Sequence, residues 1–177
     1  MSEIIYYVAT SLDGFIATPD GGVRWLSPFE NTGEDYGYQR FYGSVDGLVM
    51  GSKTYEQVLA IGEWPYPHKP CWVFSKRSFK TQEPEVTIFS GEPCDFKEEI
   101  IKHGLLRVWL VGGGKLASSF RAERLITEYI ISIIPIFLCG GISLFAPKGS
   151  LEKIKMVDPK FYPNGIVQLR YIKEDGL

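Results

Sequence analysis

The run Val108-Trp109-Leu110-Val111-Gly112-Gly113-Gly114-Lys115-Leu116-Ala117 carries the strongest chemical signal in the chain. Apolar β-formers feed three glycines, and a helix-forming stretch follows at once. Glycine lets backbone amides come close to a ligand, and free amides at a helix start favour an anion such as a pyrophosphate. The bland alternative is a tight strand-to-helix turn with no ligand. The phosphate-loop pattern fails here, because Trp109 stands where its first glycine is needed and Leu116 where a hydroxyl is needed. The dinucleotide fingerprint is met by Gly112, Gly114 and Ala117. It lies late in the chain, however, and Ser132 stands near where an acid about 20 residues on is expected.

A second strand-glycine-helix element is Leu48-Val49-Met50-Gly51-Ser52-Lys53-Thr54-Tyr55-Glu56, with hydroxyls and a cation at the helix start. Two such elements could hold two parts of one long anionic ligand. Phe74-Ser75-Lys76-Arg77-Ser78 adds hydroxyls and two cations at a strand end, or is simply a solvated basic turn. Two acids, Glu30 and Asp13, have carboxyl groups of the type that can relay a proton. Glu30 leads into the polar run Asn31-Thr32-Gly33-Glu34-Asp35, which reads as a solvated loop, so a plain surface acid is the alternative. Asp13 precedes Gly14 and reads equally as a turn residue bonding nearby backbone. Tyr36, Tyr38, Phe41 and Tyr42 form either a core-facing stripe or a wall for a flat heterocycle. Trp64-Pro65-Tyr66-Pro67 is expected as a rim of the same cleft.

The elements that must position these residues alternate between strand and helix patterns, the signature of an α/β fold. Strands are expected at Ile4–Ala9, Gly47–Met50, Cys71–Ser75, Val86–Phe89, Arg107–Val111, Thr127–Ile134, Ile142–Phe145, Ile154–Met156 and Ile166–Ile172, with Phe15–Ala17 extended. Helices are expected from Ser27-Pro28 through Tyr36, Phe41 and Tyr42, over Thr54–Ile61, from a capping box at Asp95–Glu98 to Gly104, and over Lys115–Arg121. Pro163-Asn164-Gly165 should turn the last strand antiparallel to a neighbour. The implied architecture is one domain over residues 1–177, a three-layer α/β fold. Its sheet is mixed but mostly parallel, with helices on both faces and an antiparallel C-terminal portion.

Of 177 residues, 45% are hydrophobic, 23% charged and 14% aromatic, enough apolar side chain to close a core. The net charge of -2 and the lack of a basic stripe argue against nucleic acid as a main partner. The opening residues read as a first strand, and Tyr129–Cys139 is too short to span a bilayer. The cytoplasm is therefore the expected location. Cys71, Cys94 and Cys139 fit neither a disulfide framework nor a zinc ribbon, so core thiols and no metal are expected.

The order Ala9…Asp13-Gly14-Phe15-Ile16-Ala17, Trp25, Met50-Gly51-x-x-Thr54-Tyr55, Phe74-Ser75 and Val111-Gly112-Gly113-Gly114 resembles dihydrofolate reductase. Ser11-Leu12-Asp13-Gly14-x-Ile16-Ala17 and the segment Pro135…Leu138-Cys139-Gly140-Gly141…Leu144-Phe145 bring it nearer to one branch. That branch is the C-terminal reductase domain of the bifunctional riboflavin-biosynthesis deaminase/reductase. The resemblance covers nearly the whole chain.

It implies an NADPH-dependent reductase that reduces a C=N or C=O bond of a pterin- or pyrimidine-type small molecule. Ala9 and Ile16 would flank the nicotinamide. Gly51, Ser52, Lys53 and Thr54 would hold phosphates from one helix start, and Gly112, Gly113, Gly114, Lys115 and Leu116 the pyrophosphate from the other. Ser75, Lys76 and Arg77 would meet the adenosine 2′-phosphate. Trp25, Tyr38 and Tyr55 would contact the substrate. Many relatives carry Arg where Ser52 stands, so preference for NADPH over NADH would rest on Lys53, Lys76 and Arg77. Trp25, Pro28 and Glu30 match the spacing at which dihydrofolate reductases place a carboxylate after a Trp and a Pro. The resemblance also implies a homodimer, through the C-terminal strands. The zinc-deaminase signature of the bifunctional enzymes is missing from this sequence. Two other classes remain open: a nucleotide-binding protein that keeps the fold without catalysis, and an interaction module, which would leave the glycine turns unexplained.

Overall fold

A computed structural model describes residues 2–30 and 32–174. The chain runs β1 (Glu3–Ser11), β2 (Phe15–Ala17), a 3-10 turn at Arg24–Leu26, α1 (Ser27–Glu30), α2 (Tyr38–Ser44), β3 (Gly47–Gly51), α3 (Ser52–Ile61), β4 (Cys71–Phe74) and β5 (Val86–Phe89). It continues with α4 (Phe96–Lys102), β6 (Arg107–Gly112), α5 (Gly114–Ala122), β7 (Glu128–Ile134), β8 (Ile142–Ser143), β9 (Ile154–Phe161) and β10 (Val167–Lys173). Eight strands form one sheet in the order β5-β4-β3-β6-β1-β7-β10-β9. Pairing is parallel from β5 across to β7 and antiparallel at β7–β10 and β10–β9.

Strand alternation explains the three layers. Ile4, Tyr6, Val49, Trp72, Val108 and Leu110 point to one face, where α4 and α5 deliver Phe96, Ile100, Ala117 and Phe120. Their sequence neighbours Ile5, Leu48, Met50, Cys71, Val73 and Trp109 point to the other, under Phe41 of α2 and Tyr55 of α3. Central strands buried on both faces must be apolar at every position, which is why β3, β4 and β6 read as short unbroken hydrophobic runs. The β9–β10 hairpin closes through Tyr162–Ile166, with Gly165 at φ +87°.

Four local expectations are corrected. The helical stretch from Ser27 to Tyr42 is two helices. Gly33 and Gly37 adopt positive φ, and the Asp35 carboxylate accepts from Gly37 N and Gln39 N, starting α2 afresh; Asn31, within that stretch, lies outside the described residues. Ile142–Phe145 does not join the main sheet: only Ile142–Ser143 is a strand, and it pairs with β2 as a separate ribbon. Asp95 opens α4 without capping it, since its carboxylate accepts from Glu92 N instead of the helix amides. Of the cysteines, only Cys71 is a core thiol; Cys94 and Cys139 are exposed.

Candidate active site

The phosphate-seeking elements meet because their strands are neighbours. β3 and β6 lie side by side and parallel, so α3 and α5 both begin at the same edge of the sheet. The residues before them, Gly51 and Gly113, supply no side-chain cap, and neither first turn holds an acid. The first amides of both helices therefore keep their donors for an incoming anion, in the positive field of two helix starts. Between them lies a cleft of about 590 Å³ lined by Gly51, Ser52, Lys53, Thr54, Gly113, Gly114, Lys115 and Leu116. Eight residues expected to hold phosphates thus share one wall. Gly112 does not line the cleft; it makes the turn into it at φ +131°.

Gly114 is required sterically. A Cβ there would stand 2.1 Å from the Ser143 carbonyl oxygen, so only glycine lets the β8 strand cross the start of α5. The opposite wall is the Pro19–Gly21 turn, docked on α3 by Gln57, whose Nε2 donates to the Asp20 carbonyl at 3.1 Å. Gly21 is likewise filled against Gln57: an added Cβ would meet Nε2 at 2.0 Å. This turn, Gln57, Phe74 and Ile142 also line the cleft; Phe74 belongs to a motif named from the sequence, but the others were not expected at the site. Nothing local marked those others, because they reach it from separate segments.

Ser75, Lys76 and Arg77 lie beyond Phe74 and do not line the cleft. Lys76 Nζ pairs with Glu92 at 2.5 Å and Arg77 Nη2 with Glu56 at 3.2 Å, both on the open surface. Ser75 Oγ closes a small turn by donating to the Arg77 carbonyl at 2.8 Å. These cations are engaged with acids and are not presented bare to a phosphate.

A second cavity, of about 320 Å³, opens beside the C-terminal half of β1. Its base is Val8, Ala9, Ile134 and Ile166, and its walls include Tyr7, Phe29, Tyr36 and Tyr38. Tyr7 stacks on Phe41 at 4.4 Å, and Tyr38 stacks on Tyr42 at 5.9 Å. The aromatic group thus divides: Phe41 is core, and Tyr36 and Tyr38 face the cavity. Burial pushes the Tyr7 and Tyr38 hydroxyls up to about 12, so both remain proton donors at neutral pH. Ser132, nine-tenths buried, lines the cavity and accepts from Gln168 Nε2 at 3.0 Å. Glu30, Glu34 and Asp35 form the rim. The described part of the expected solvated loop, Thr32–Asp35, is exposed, yet its two acids bound the cavity. Their position just before Tyr36 and Tyr38 is the signal that could have placed them there.

Other expected site residues fall elsewhere. Tyr55 is 2% exposed, sits in the core against Phe79 and Trp64, and lines neither cavity. Trp64 and Tyr66 pack with it in the core while Pro65 and Pro67 are exposed, and none of the four lines either cavity, so the segment is not a rim. Trp25 is half-buried on the 3-10 turn with its indole N–H unpartnered, and it lines neither cavity. Ile16 lies on β2, between Ala9 at one cavity and Pro19–Gly21 at the other. Asp13 is a tie between segments. Its carboxylate accepts from Ser11 Oγ at 2.6 Å, Leu138 N at 3.1 Å and Cys139 N at 2.8 Å. The Ser11 hydroxyl, then these amides, hold it below the usual carboxylate range. Fully committed to three donors, it is not placed to shuttle a proton.

Comparison with known proteins gives a consistent picture. The sequence profile described as RibD C-terminal domain matches residues 2–168. The uncharacterized protein YwjB of Bacillus subtilis is 35% identical over 172 residues, covering 97% of this chain and 98% of YwjB. The crystal structure of a proposed riboflavin biosynthesis protein from Shewanella sp. PV-4 superposes with TM-score 0.88 at 30% identity, covering 98% of this chain and 99% of that one. The Thermotoga maritima diaminohydroxyphosphoribosylaminopyrimidine deaminase/5-amino-6-(5-phosphoribosylamino)uracil reductase superposes with TM-score 0.75 at 14% identity. That match covers 97% of this chain and 56% of the Thermotoga enzyme, and it speaks for the fold alone.

Proposed function

The chain belongs to the RibD C-terminal domain family, whose fold is dihydrofolate-reductase-like, and from that premise we propose that it is an NADPH-dependent reductase of a pterin- or pyrimidine-type heterocycle. The observation that carries this reading is the pair of uncapped helix starts, α3 and α5, facing one cleft with Lys53 and Lys115 beside them. Two sets of free amides and two cations suit a pyrophosphate bridging them. The glycine at 114 and the shared cleft wall fit the shape of such a ligand.

NADPH bound there supplies a hydride for the heterocycle, while the protein supplies position and electrostatics. In this reading the amides of residues 52–54 and 114–116, with Lys53 and Lys115, grip the phosphates. Lys76 and Arg77 reach the adenosine end only by exchanging their present acid partners. The segment from Tyr7 to Gly21 joins the two cavities, so Ala9 and Ile16 stand where hydride donor and acceptor meet. Tyr38 orients the acceptor ring with its protonated hydroxyl, and Glu30 at the exposed rim passes it a proton from solvent. The C-terminal hairpin supports a homodimer, because the edge strand β9 exposes Met156, Val157 and Phe161. A solution mass of one chain would remove that part of the proposal.

The test is substrate-dependent oxidation of NADPH over a panel of aminopyrimidines and dihydropterins. Glu30→Gln should lower kcat about 100-fold while leaving NADPH affinity unchanged. The exposure of Glu30 favours a second reading, a nucleotide-binding protein without turnover. Tight NADPH binding with no oxidation by any heterocycle would select it.

A further inference from the structure

Charge is segregated between the two cavities. The cleft at the helix starts carries Lys53 and Lys115 against one carboxylate, Asp20, whose oxygen is already held by Thr18 and Gly22 N. The aromatic cavity carries Glu30, Glu34 and Asp35, and no Lys, Arg or His is among its lining residues. None of the three carboxylates has a cationic partner within 4 Å among the described residues. The amides of Gly37, then Gln39, keep Asp35 ionised by holding it below the usual carboxylate range. Glu34 accepts from Tyr36 N at 3.1 Å, which fixes its oxygens beside the tyrosine wall. Deeper in, the Ser132 hydroxyl accepts from Gln168 but donates to no protein group among the described residues. A buried hydroxyl with its proton unspent, opening on an apolar cavity, marks a place for an acceptor atom on a ligand.

We propose that this cavity takes an unphosphorylated nitrogen heterocycle, neutral or cationic, stacked between tyrosines with a ring acceptor on Ser132 and its amino groups toward the acidic rim. The proposal rests on the reading of this cavity as the substrate site. Tyr7, Tyr36 and Tyr38 supply flat apolar contact to a ring. Glu30, Glu34 and Asp35 accept from exocyclic amines and attract a protonated ring, whereas a phosphate dianion would meet like charge with no cation to answer it. The substrate class thereby differs from the phosphoribosylamino-pyrimidine named for the Thermotoga enzyme.

The experiment follows intrinsic tyrosine and tryptophan fluorescence of the whole chain, saturated with NADPH and without it, against three probes. These are a diaminopteridine, a ribosylamino-pyrimidine and the phosphate ester of that ribosylamino-pyrimidine. The diaminopteridine should saturate, and the parent pyrimidine should bind at least about tenfold tighter than its ester, a ratio that narrows as salt rises. Glu30→Gln with Glu34→Gln should shrink that ratio at least about threefold and weaken the diaminopteridine. Tighter binding of the phosphate ester to the native chain overturns the proposal. So does failure of all three probes to bind a chain whose cooperative melting shows it folded. A separate NADPH titration isolates the reductase reading: if NADPH fails to bind while the probe order holds, that reading falls and the cavity's preference stands.

Discussion

The two cavities are built by opposite means. The cleft is made of backbone: two helix starts, glycines and a turn, with two lysines at the side. The aromatic cavity is made of side chains from β1, the Leu26–Tyr38 segment, β7 and the residue before β10. The first recognises charge through groups that every sequence possesses, so its specificity lies in where the chain stops being regular. The second recognises shape and hydrogen bonding through chosen side chains. A backbone site tolerates almost any side-chain change except one that fills it, and a side-chain site tolerates almost none.

The sharpest way to break this comparison is to fill the backbone site. Gly114→Ala should raise the NADPH Kd about 100-fold and destabilise the chain by about 1–3 kcal/mol, because the new Cβ collides with the Ser143 carbonyl. Gly51→Ala, whose Cβ has no contact nearer than 3.9 Å, should shift stability by less than about 0.5 kcal/mol. Calorimetric titration and thermal melting of both variants read the difference. Next in size, Lys53→Ala and Lys115→Ala should each weaken NADPH about fivefold, near 1 kcal/mol, and flatten its salt dependence, with heterocycle binding unmoved.

Acid acts on two carboxylates outside the cleft, Asp13 and Asp35. Both are held below 3.8, the ordinary aspartate value, by hydrogen bonds in the folded chain. Their contribution to stability is therefore complete above the unfolded value and is lost as pH falls through the lower folded ones. The melting temperature should drop below about pH 3.8, and Asp13→Ala and Asp35→Ala should show a shallower drop there than the parent. The smallest effect is expected at Lys76 and Arg77. Exposed and already paired, they should cost no more than about threefold in NADPH affinity when both are changed to Ala, measured against NADH as control.

The same contrast explains what was legible before the fold was known. The cleft could be read because each half is a contiguous strand-glycine-helix run, and β3 and β6 announced themselves as unbroken apolar strands. The sheet and its change to antiparallel pairing followed from alternating patterns and from Pro163-Asn164-Gly165. The cavity could be read only in part: Ala9, Glu30, Tyr36 and Tyr38 were candidates from the sequence, but Tyr7, Ser132 and Ile166 join them only through the pairing of β1 with β7 and β7 with β10. The resemblance assigned Tyr55 to the substrate, yet the helical turn that presents Thr54 to the cleft aims Tyr55 into the core. Lys76 and Arg77 were read as a phosphate grip because Glu56 and Glu92, their partners, are distant in sequence.

The central claim is that the two helix starts together hold a pyrophosphate-bridged nicotinamide cofactor. Calorimetric titration of the chain with NADPH tests it most directly. The account predicts saturable binding at one molecule per chain in the micromolar range, weakened about 100-fold by Gly114→Ala. Absence of saturation at millimolar NADPH, or equal binding by the parent and the Gly114→Ala variant, would contradict it.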